Sequence, residues 1–342
     1  MSGTSLDGLD VLEVDLWLTD RWHYQLKTAA TYAYSKEWQQ KLAEAHHFSG
    51  QTIENLDRDY TKLLAEITNR FIKENQVKDL DFVASHGHTV FHQPQQNYTL
   101  QIGNRSELSN LIQQHVICDF RVQDVALGGQ GAPLVPIGDR FLFHDYDACL
   151  NLGGFANISY AENNKRIAYD ICPVNKVLNF YAEKLGRAFD KDGAIAKAGA
   201  VDSDLLEQLN ALAFYREQPP KSLGIEWVEK EIFPLIKAAD LSPENSISTF
   251  TKHVADQLCK ALQGKENILI TGGGAFNKYL LDILRKEVKV KLILPTQKLI
   301  DYKEALIFAF LGVLRFRNEN NILAEVTGAS KDHSSGKLFR YT

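Results

Sequence analysis

Three short glycine turns carry the residue types from which a phosphate site can be built. Gly3 to Gly8 lie in the opening "MSGTSLDGLD", Gly153-Gly154 in "NLGGFANIS", and Gly272-Gly273-Gly274 in "ILITGGGAFN". Glycine lets backbone N–H groups approach an anion closely and takes positive φ without a Cβ penalty. Ser2, Thr4 and Ser5 add hydroxyl donors to the first turn. Asp7, in the same loop, would repel a phosphate, so its presence is best explained by Mg2+, held directly or through water. Any one of these turns read alone is only a tight turn. Three in one chain, two of them on matched strand–turn–strand units, point to nucleotide binding. Two familiar alternatives fail on spacing. No G-x-x-x-x-G-K-[ST] occurs, and "GGGAF" lacks the third glycine and the downstream acid of a dinucleotide fingerprint.

A second group of side chains invites a different chemistry. "HGHTVFH" sets His86, His88 and His92 at alternating positions, which predicts one shared face of an extended segment. Taken in isolation, an H-x-H with a third histidine is a metal-ligand pattern, and with Asp119 or Asp124 it would serve a metal-dependent hydrolase. Polar contacts with a sugar or phosphate, and a structural hydrogen-bonded cluster, are the competing readings. "CDFR" puts Asp119 and Arg121 two residues apart at a strand end. There the guanidinium fork could counter substrate or phosphate charge, or the two could be an ordinary surface pair.

The elements that must position these groups follow from the patterning. "DVLEVDLWL" alternates apolar and acidic residues and reads as a strand, with two helices after it. In the second helix Ile53, Leu56, Tyr60, Leu63, Leu64, Ile67 and Phe71 recur at three- and four-residue steps, so one face is buried. "DFVASHGHTVFH" and "VICDFR" read as short strands ending in polar turns. "GGQGAPLVP" is a Gly- and Pro-rich loop that marks a domain boundary. The second half opens as strand, glycine turn, strand in "ACLNLGGFANISYAE", an echo of the opening and a weak internal repeat. Helices follow "DICPVN", "SDLLEQLNALAFY" spans another, and Ser248 to Leu262 a further one. "NILITGGGAFNKYLLDIL" is a buried strand, a glycine turn and an amphipathic helix, and "DYKEALIFAFLGVLRF" a late apolar helix. Strands alternating with helices make an α/β protein. A nucleotide held between two domains by paired glycine hairpins is the architecture of sugar kinases, actin and Hsp70.

Bulk properties fit. At 342 residues, 44% hydrophobic and 24% charged, the chain has the length of two domains. We expect residues 1–131 to form an N-terminal α/β domain with the first phosphate loop. Residues 132–342 are expected to form a C-terminal one with the second loop and an adenosine motif, its last helix able to pack back on the first. No apolar run reaches about 18 residues, and no basic segment followed by an apolar one opens the chain, so neither membrane helix nor signal peptide is expected. Four scattered cysteines (Cys118, Cys149, Cys172, Cys259) predict reduced thiols in a cytoplasmic protein. The net charge of −5 argues against a nucleic-acid partner.

The ordered set "MSGTSLDGLD", "HGHTVFHQP", "TLQIG", "DFRVQDVALGGQGAPLVP", "NLGGFANIS", "PKSLG", "TGGGAFN", "EALIFAFLG" and "VTGA" resembles the anhydro-N-acetylmuramic acid kinase family from the first residues to Ala329. The resemblance implies a two-domain actin/Hsp70/hexokinase-like (ribonuclease H-like) fold with a nucleotide cleft between the domains. It further implies a MgATP-dependent kinase that opens the 1,6-anhydro ring with water and phosphorylates O6, giving N-acetylmuramic acid 6-phosphate and ADP. Family members serve cell-wall recycling in the cytoplasm, commonly as homodimers. By the same resemblance Gly3, Thr4, Ser5, Leu6, Asp7, Gly8, Leu9 and Asp10 are the ATP loop, with Asp7 toward Mg2+. Gly153, Gly154 and Gly272, Gly273, Gly274 complete the phosphate contacts, and Asn277 approaches the nucleoside or, equally, caps a helix. His86, His88, Arg121, Gln130 and Asn175 are implied sugar contacts.

Asp170 matches the family base in a pattern close to D-T-G-P-G-N, and Glu304 matches a glutamate near the sugar. Asp170 as a helix N-cap and Glu304 as a partner of a helix dipole are the plain structural readings. This chain has D-I-C-P-V-N, so Ile171, Cys172 and Val174 depart from the family, and their Cβ atoms could approach substrate or phosphate. That departure keeps two alternatives open, a related kinase with another sugar and a low-turnover conformational module. No role follows from sequence for Lys221 or Ser222 of "PKSLG". Family members also carry a short apolar strand ahead of the first loop, and that arm is missing here. The expectation is a start placed several codons late, or a strand lost or trimmed. Restored upstream residues are then expected to raise stability and activity.

Overall fold

The structure, a computed structural model, describes residues 1–3 and 6–342. The expectations for Thr4 and Ser5 lie outside the described residues. Among those residues the strands, in chain order, are β1 (Gly8–Leu18), β2 (Trp22–Ala33), β3 (Val83–Ser85), β4 (His88–Gln93), β5 (Tyr98–Ile102) and β6 (Val116–Cys118). They continue as β7 (Ala148–Leu152), β8 (Phe155–Glu162), β9 (Lys165–Pro173), β10 (Asn267–Thr271), β11 (Lys291–Ile293) and β12 (Lys337–Phe339). The chain divides into two compact units. Unit 1 is Met1–Leu142 with Tyr302–Thr342, and unit 2 is Phe143–Asp301.

The division thus falls at Leu142/Phe143 rather than at 131/132, and the C-terminal stretch returns to unit 1. Packing explains the shift. The Pro136–Leu142 helix lies so close to the Gln297–Phe316 helix that a Cβ on Gly138 would stand 2.5 Å from Ile307 Cγ1. Lys303 and Asp139, both buried, pair at 2.8 Å across the same contact. The Gln297–Phe316 helix loses helical geometry at Tyr302 (φ −115°, ψ 16°), where the unit boundary falls.

In unit 1, β1 and β2 form an antiparallel hairpin from Gly8↔Ala33 to Leu18↔Trp22. Sequence reasoning gives no strand at β2, because "WHYQLKTAATYA" mixes Ala, Gln and Lys with its β-formers and shows no clean alternation. A second sheet runs β12-β6-β3, with β3 parallel and β12 antiparallel to β6. The Gly50–Glu74 helix buries Leu56, Tyr60, Leu64, Ile67 and Phe71, while Ile53 and Leu63 flank the same cluster. On the edge of β1 away from β2, Ser2 bridges Leu9 and the Asp10 N–H donates to Met1 O at 2.8 Å. Beyond Asp10 that edge has no strand partner among the described residues. A cavity of about 650 Å3 is lined there by Leu9 to Trp17 and by Phe82 to Ser85. The consequence is visible in β3, which stays half-buried although β6 beside it is fully buried.

Unit 2 is built on one sheet, ordered β11-β10-β7-β8-β9. β7, β8 and β9 form an antiparallel meander, β10 runs parallel to β7, and β11 parallel to β10. A three-strand meander extended by parallel strands beside its first member is the ribonuclease H-like order. The Asn175–Glu183, Pro243–Ala261 and Lys278–Glu287 helices supply Val177, Phe250, Val254, Leu258, Leu280 and Leu284 to its core.

Candidate active site

Unit 2 gathers its glycine turns and its acid at one end of the sheet. Cross-strand pairing aligns Thr271 of β10 with Asn151 of β7, Asn151 with Asn157 of β8, and Asn157 with Asp170 of β9. Directly paired residues share a face, so a polar row crosses the sheet. The Thr271 hydroxyl is buried without a hydrogen-bond partner among the described residues, an orphan of the kind that marks binding sites. The Gly153-Gly154 turn joins β7 to β8, and the 272–274 turn follows β10 against it. Gly272 has φ +82°, and a Cβ there would meet Leu152 O at 2.8 Å, so only glycine fits. Asn175 Nδ2 donates to Leu152 O at 3.2 Å, which seats that side chain beside the same turn. Asn277 spends its side-chain oxygen on the Leu280 N–H at 3.0 Å and caps the Lys278–Glu287 helix.

The D-I-C-P-V-N segment keeps its grip on the glycine turn. Val174 and Lys176 N–H groups donate to Gly154 O at 2.8 and 3.2 Å, and Asn175 N–H to Gly153 O at 3.3 Å. Ile171, Cys172 and Val174 are buried in the unit 2 core, so the side chains that replace the family residues point inward. Burial drives the Cys172 thiol well above its ordinary pKa, with Asp170 adding to the shift, and keeps it protonated.

Asp170 is held by one oxygen. Leu223 N–H donates to its Oδ2 at 2.8 Å, while its own N–H donates to Lys221 O at 3.1 Å. Oδ1 has no hydrogen-bond partner among the described residues. Burial raises the carboxyl above the usual aspartate value, and the Leu223 N–H pulls it partway back. A carboxylate oriented through one oxygen, open at the other and made more basic by its surroundings is suited to accept a proton. Asp170 is not a helix cap. The clamp that orients it was not legible in sequence, because Leu223 lies 53 residues away and "PKSLG" carries no local pattern of its own.

The histidines of unit 1 do not share a face. Gly87 turns the chain at φ +73°, and the β4–β5 register shifts between Thr89 and Phe91, so alternation is lost. His88 is buried, its Nδ1 2.9 Å from Ser2 Oγ, which also accepts from Tyr34 OH at 2.8 Å. Burial lowers its pKa to about 4. His86 accepts from Arg121 Nε at 2.9 Å through Nε2, and burial followed by Arg121 holds it well below 6.5. That assignment leaves Nδ1–H to donate to Gly87 O at 3.0 Å. His92 is exposed and contacts Thr99 Oγ1 at 3.1 Å. Among the described residues no three His, Cys, Asp or Glu side chains gather as a cation site.

Around that pair lies an ionic cluster. Arg121 Nη1 donates to Gly131 O at 2.6 Å, and burial lowers its pKa to about 10, opposed first by Glu304 and then by Asp124. Asp124, fully buried, accepts from Gly131 N–H at 2.6 Å and from Thr327 Oγ1 at 2.7 Å. The "GGQGAP" loop is thereby fixed from "DFRVQD" and "VTGA". Gln130 is exposed, its N–H donating to Thr327 O at 2.8 Å. Glu304 is exposed and its charge bears on both Arg121 and the Met1 ammonium. Of the first loop, Leu9 is in the core, Asp10 Oδ1 accepts from Thr31 Oγ1 at 2.6 Å, Asp7 is exposed, and Leu6 has φ +56°.

Glycine turns at strand ends beside an oriented carboxylate, on a sheet of this order, are the parts of a phosphotransferase of the sugar-kinase class. Comparison with known proteins agrees in class and is more specific. The chain belongs to the anhydro-N-acetylmuramic acid kinase family, whose model matches residues 1–341. It is 33% identical over 368 residues to the anhydro-N-acetylmuramic acid kinase of Pseudomonas syringae pv. tomato, covering 99% of this chain and 97% of the relative. The kinase of the same name from Mannheimia succiniciproducens is 33% identical over 367 residues, with 99% and 97% covered. Among solved structures, a ROK family glucokinase from Streptomyces griseus in complex with glucose and AMPPNP aligns at TM-score 0.37 and 11% identity. That alignment covers 83% of this chain and 94% of the glucokinase.

Proposed function

We propose that the protein is an ATP-dependent kinase that adds water across the 1,6-anhydro bond of anhydro-N-acetylmuramic acid and phosphorylates O6. The observation that carries this reading is the state of Asp170, tied through Oδ2 to Leu223 and open at Oδ1. In the proposed reaction Oδ1 takes a proton from water as the water oxygen bonds to the anomeric carbon. The C1–O6 bond breaks, O6 bonds to the γ-phosphorus, and ADP leaves with the electron pair of the broken phosphoanhydride. Water supplies the oxygen that replaces O6 on the anomeric carbon and becomes the C1 hydroxyl.

Gly153, Gly154 and Gly272 to Gly274 present backbone to the phosphates, and the buried Thr271 hydroxyl is a further donor toward them. The first loop, Gly3 to Asp10, is an ATP contact by family resemblance. Asp7, exposed on that loop, fits Mg2+, which keeps much of its water and takes few carboxylates. Bound Mg2+ would shield phosphate charge. By family resemblance Arg121, Asn175, Gln130 and Glu304 are the contacts for the hydroxyls and carboxylate of the sugar, and neutral His86, its ring nitrogens spent on Arg121 and Gly87, orients the Arg121 guanidinium. His88 is assigned to scaffolding. The inward packing of Ile171, Cys172 and Val174 supports the family substrate over a different sugar. A homodimer in the cytoplasm, serving cell-wall recycling, completes the reading. No helix among the described residues is long and apolar enough to cross a membrane.

The test is direct. Protein incubated with MgATP and anhydro-N-acetylmuramic acid is expected to release ADP only when the sugar is present, in step with a 6-phosphate product. ADP released equally without sugar, or none with it, would contradict the proposal.

A further inference from the structure

The "PKSLG" motif, to which neither the glycine turns nor the acid gives a role, runs alongside the end of β9. Its backbone supplies both partners of Asp170, Lys221 O for the N–H and Leu223 N–H for Oδ2. Lys221 itself does not reach toward the carboxylate. Its ammonium donates to Phe214 O at 2.9 Å and sits 4.5 Å from the Phe214 ring centroid and 5.8 Å from that of Tyr169. Phe214 is buried and packs on Trp227 with the rings tilted and their centroids 5.4 Å apart. Its neighbour Tyr215 is anchored in turn. Asn210 gives its amide nitrogen to Asp256 and takes Gln257 on its oxygen, so His253 Nδ1–H donates to Asn210 Oδ1 at 2.7 Å. His253 Nε2 then accepts from Tyr215 OH at 2.9 Å. A motif with no role legible in sequence is, in this fold, a strap with its cation turned into an aromatic seat.

We propose that Lys221 is a positioning residue for Asp170. Its ammonium, seated on Phe214 and Tyr169, fixes the strap so that the Leu223 N–H holds Oδ2 and leaves Oδ1 for the attacking water. The inference rests on the reading of Asp170 as the base. Three titratable groups flank that carboxyl along its strand and its strap, Lys221 with its ammonium turned away onto Phe214. Tyr169 and Cys172 lie on its own strand, both raised by burial, and Lys221 lies on the strap. Neither Tyr169 nor Cys172 ionises near neutrality, so a change in the acidic limb of the rate profile reports Asp170.

The experiment is the pH dependence of kcat for Lys221→Met, Leu223→Pro and the double variant, with folding checked by circular dichroism and Tm. Losing a hydrogen bond to a charged group is expected to move the acidic limb upward by about one pH unit in each single variant. At any pH well below that limb the shift costs roughly tenfold in kcat. Because both variants remove the same contact, the double variant is expected to shift no further than either single one. Lys221→Arg keeps a cation over the rings and is expected to restore the limb. If Leu223→Pro does not fold, Lys221→Met against Lys221→Arg decides alone. A Lys221→Met enzyme with a wild-type limb, or a lower kcat at every pH with the limb unmoved, overturns the inference. A fully active Asp170→Asn would instead overturn the reading beneath it, and the two failures are thereby distinct.

Discussion

At the scale of single residues, burial sets protonation throughout the molecule. His88 has its pKa lowered to about 4 and His253 to about 3, each by desolvation. Both are neutral in the folded chain and titrate near 6.5 when unfolded. The unfolded state therefore binds protons first as pH falls, and stability declines from about pH 6.5 down to about 4, below which His88 contributes no further loss. For His88 alone the loss is on the order of 3 kcal/mol. Tm measured from pH 7 to pH 4 is expected to fall more shallowly in His88→Asn than in wild type. Parallel curves would show that His88 is not the titrating group. Asp170 illustrates what sequence makes legible at this scale. Its type, and its place after a strand and a glycine turn, could be read directly. The Leu223 N–H and the aromatic seat of Lys221 could not, because both come from chain crossings that leave no local trace.

At the scale of elements, strong periodicity was legible and weak patterning was not. The Gly50–Glu74 helix buries the face its spacing predicts, and β1 and β10 lie where alternation and apolar runs put them. β2 escaped because its composition is neutral between strand and helix, and only pairing with β1 decides it. The histidine segment failed for a different reason, since one glycine and one register shift cancel alternation that sequence alone would extend. The late apolar helix is fixed in unit 1 by the buried Lys303–Asp139 pair, one residue from Glu304. Lys303→Met leaves a buried carboxylate without its ammonium, which costs about 3 to 5 kcal/mol. Urea unfolding is expected to show that loss, and Lys303→Met with Asp139→Leu to recover most of it. A single variant as stable as wild type would mean the pair holds nothing.

At the scale of the whole molecule, two units of different sheet organisation share one chain. Unit 2 has an unbroken five-strand sheet, and its site is correspondingly well ordered in hydrogen bonds. Among the described residues unit 1 has three separate sheets, β1-β2, β12-β6-β3 and β4-β5, and a cavity of about 650 Å3 against β1 and β3. An extended segment of alternating apolar residues fused ahead of Met1 is expected to lie along β1, cover β3 and raise Tm by several degrees, as removing exposed apolar edge from water predicts. An unchanged Tm, with the fused segment still sensitive to protease, would show that the cavity does not accept a strand. The overall division was only partly legible, because the Gly- and Pro-rich loop that looks like a boundary in sequence is tied inside unit 1 by Asp124.

The claim on which the account depends is that Asp170 takes the proton from water during ring opening. The kcat of Asp170→Asn with MgATP and anhydro-N-acetylmuramic acid tests it most directly. A fall of roughly 10² to 10⁴, with ATP still bound, is the predicted result. Near-normal turnover in that variant would contradict it.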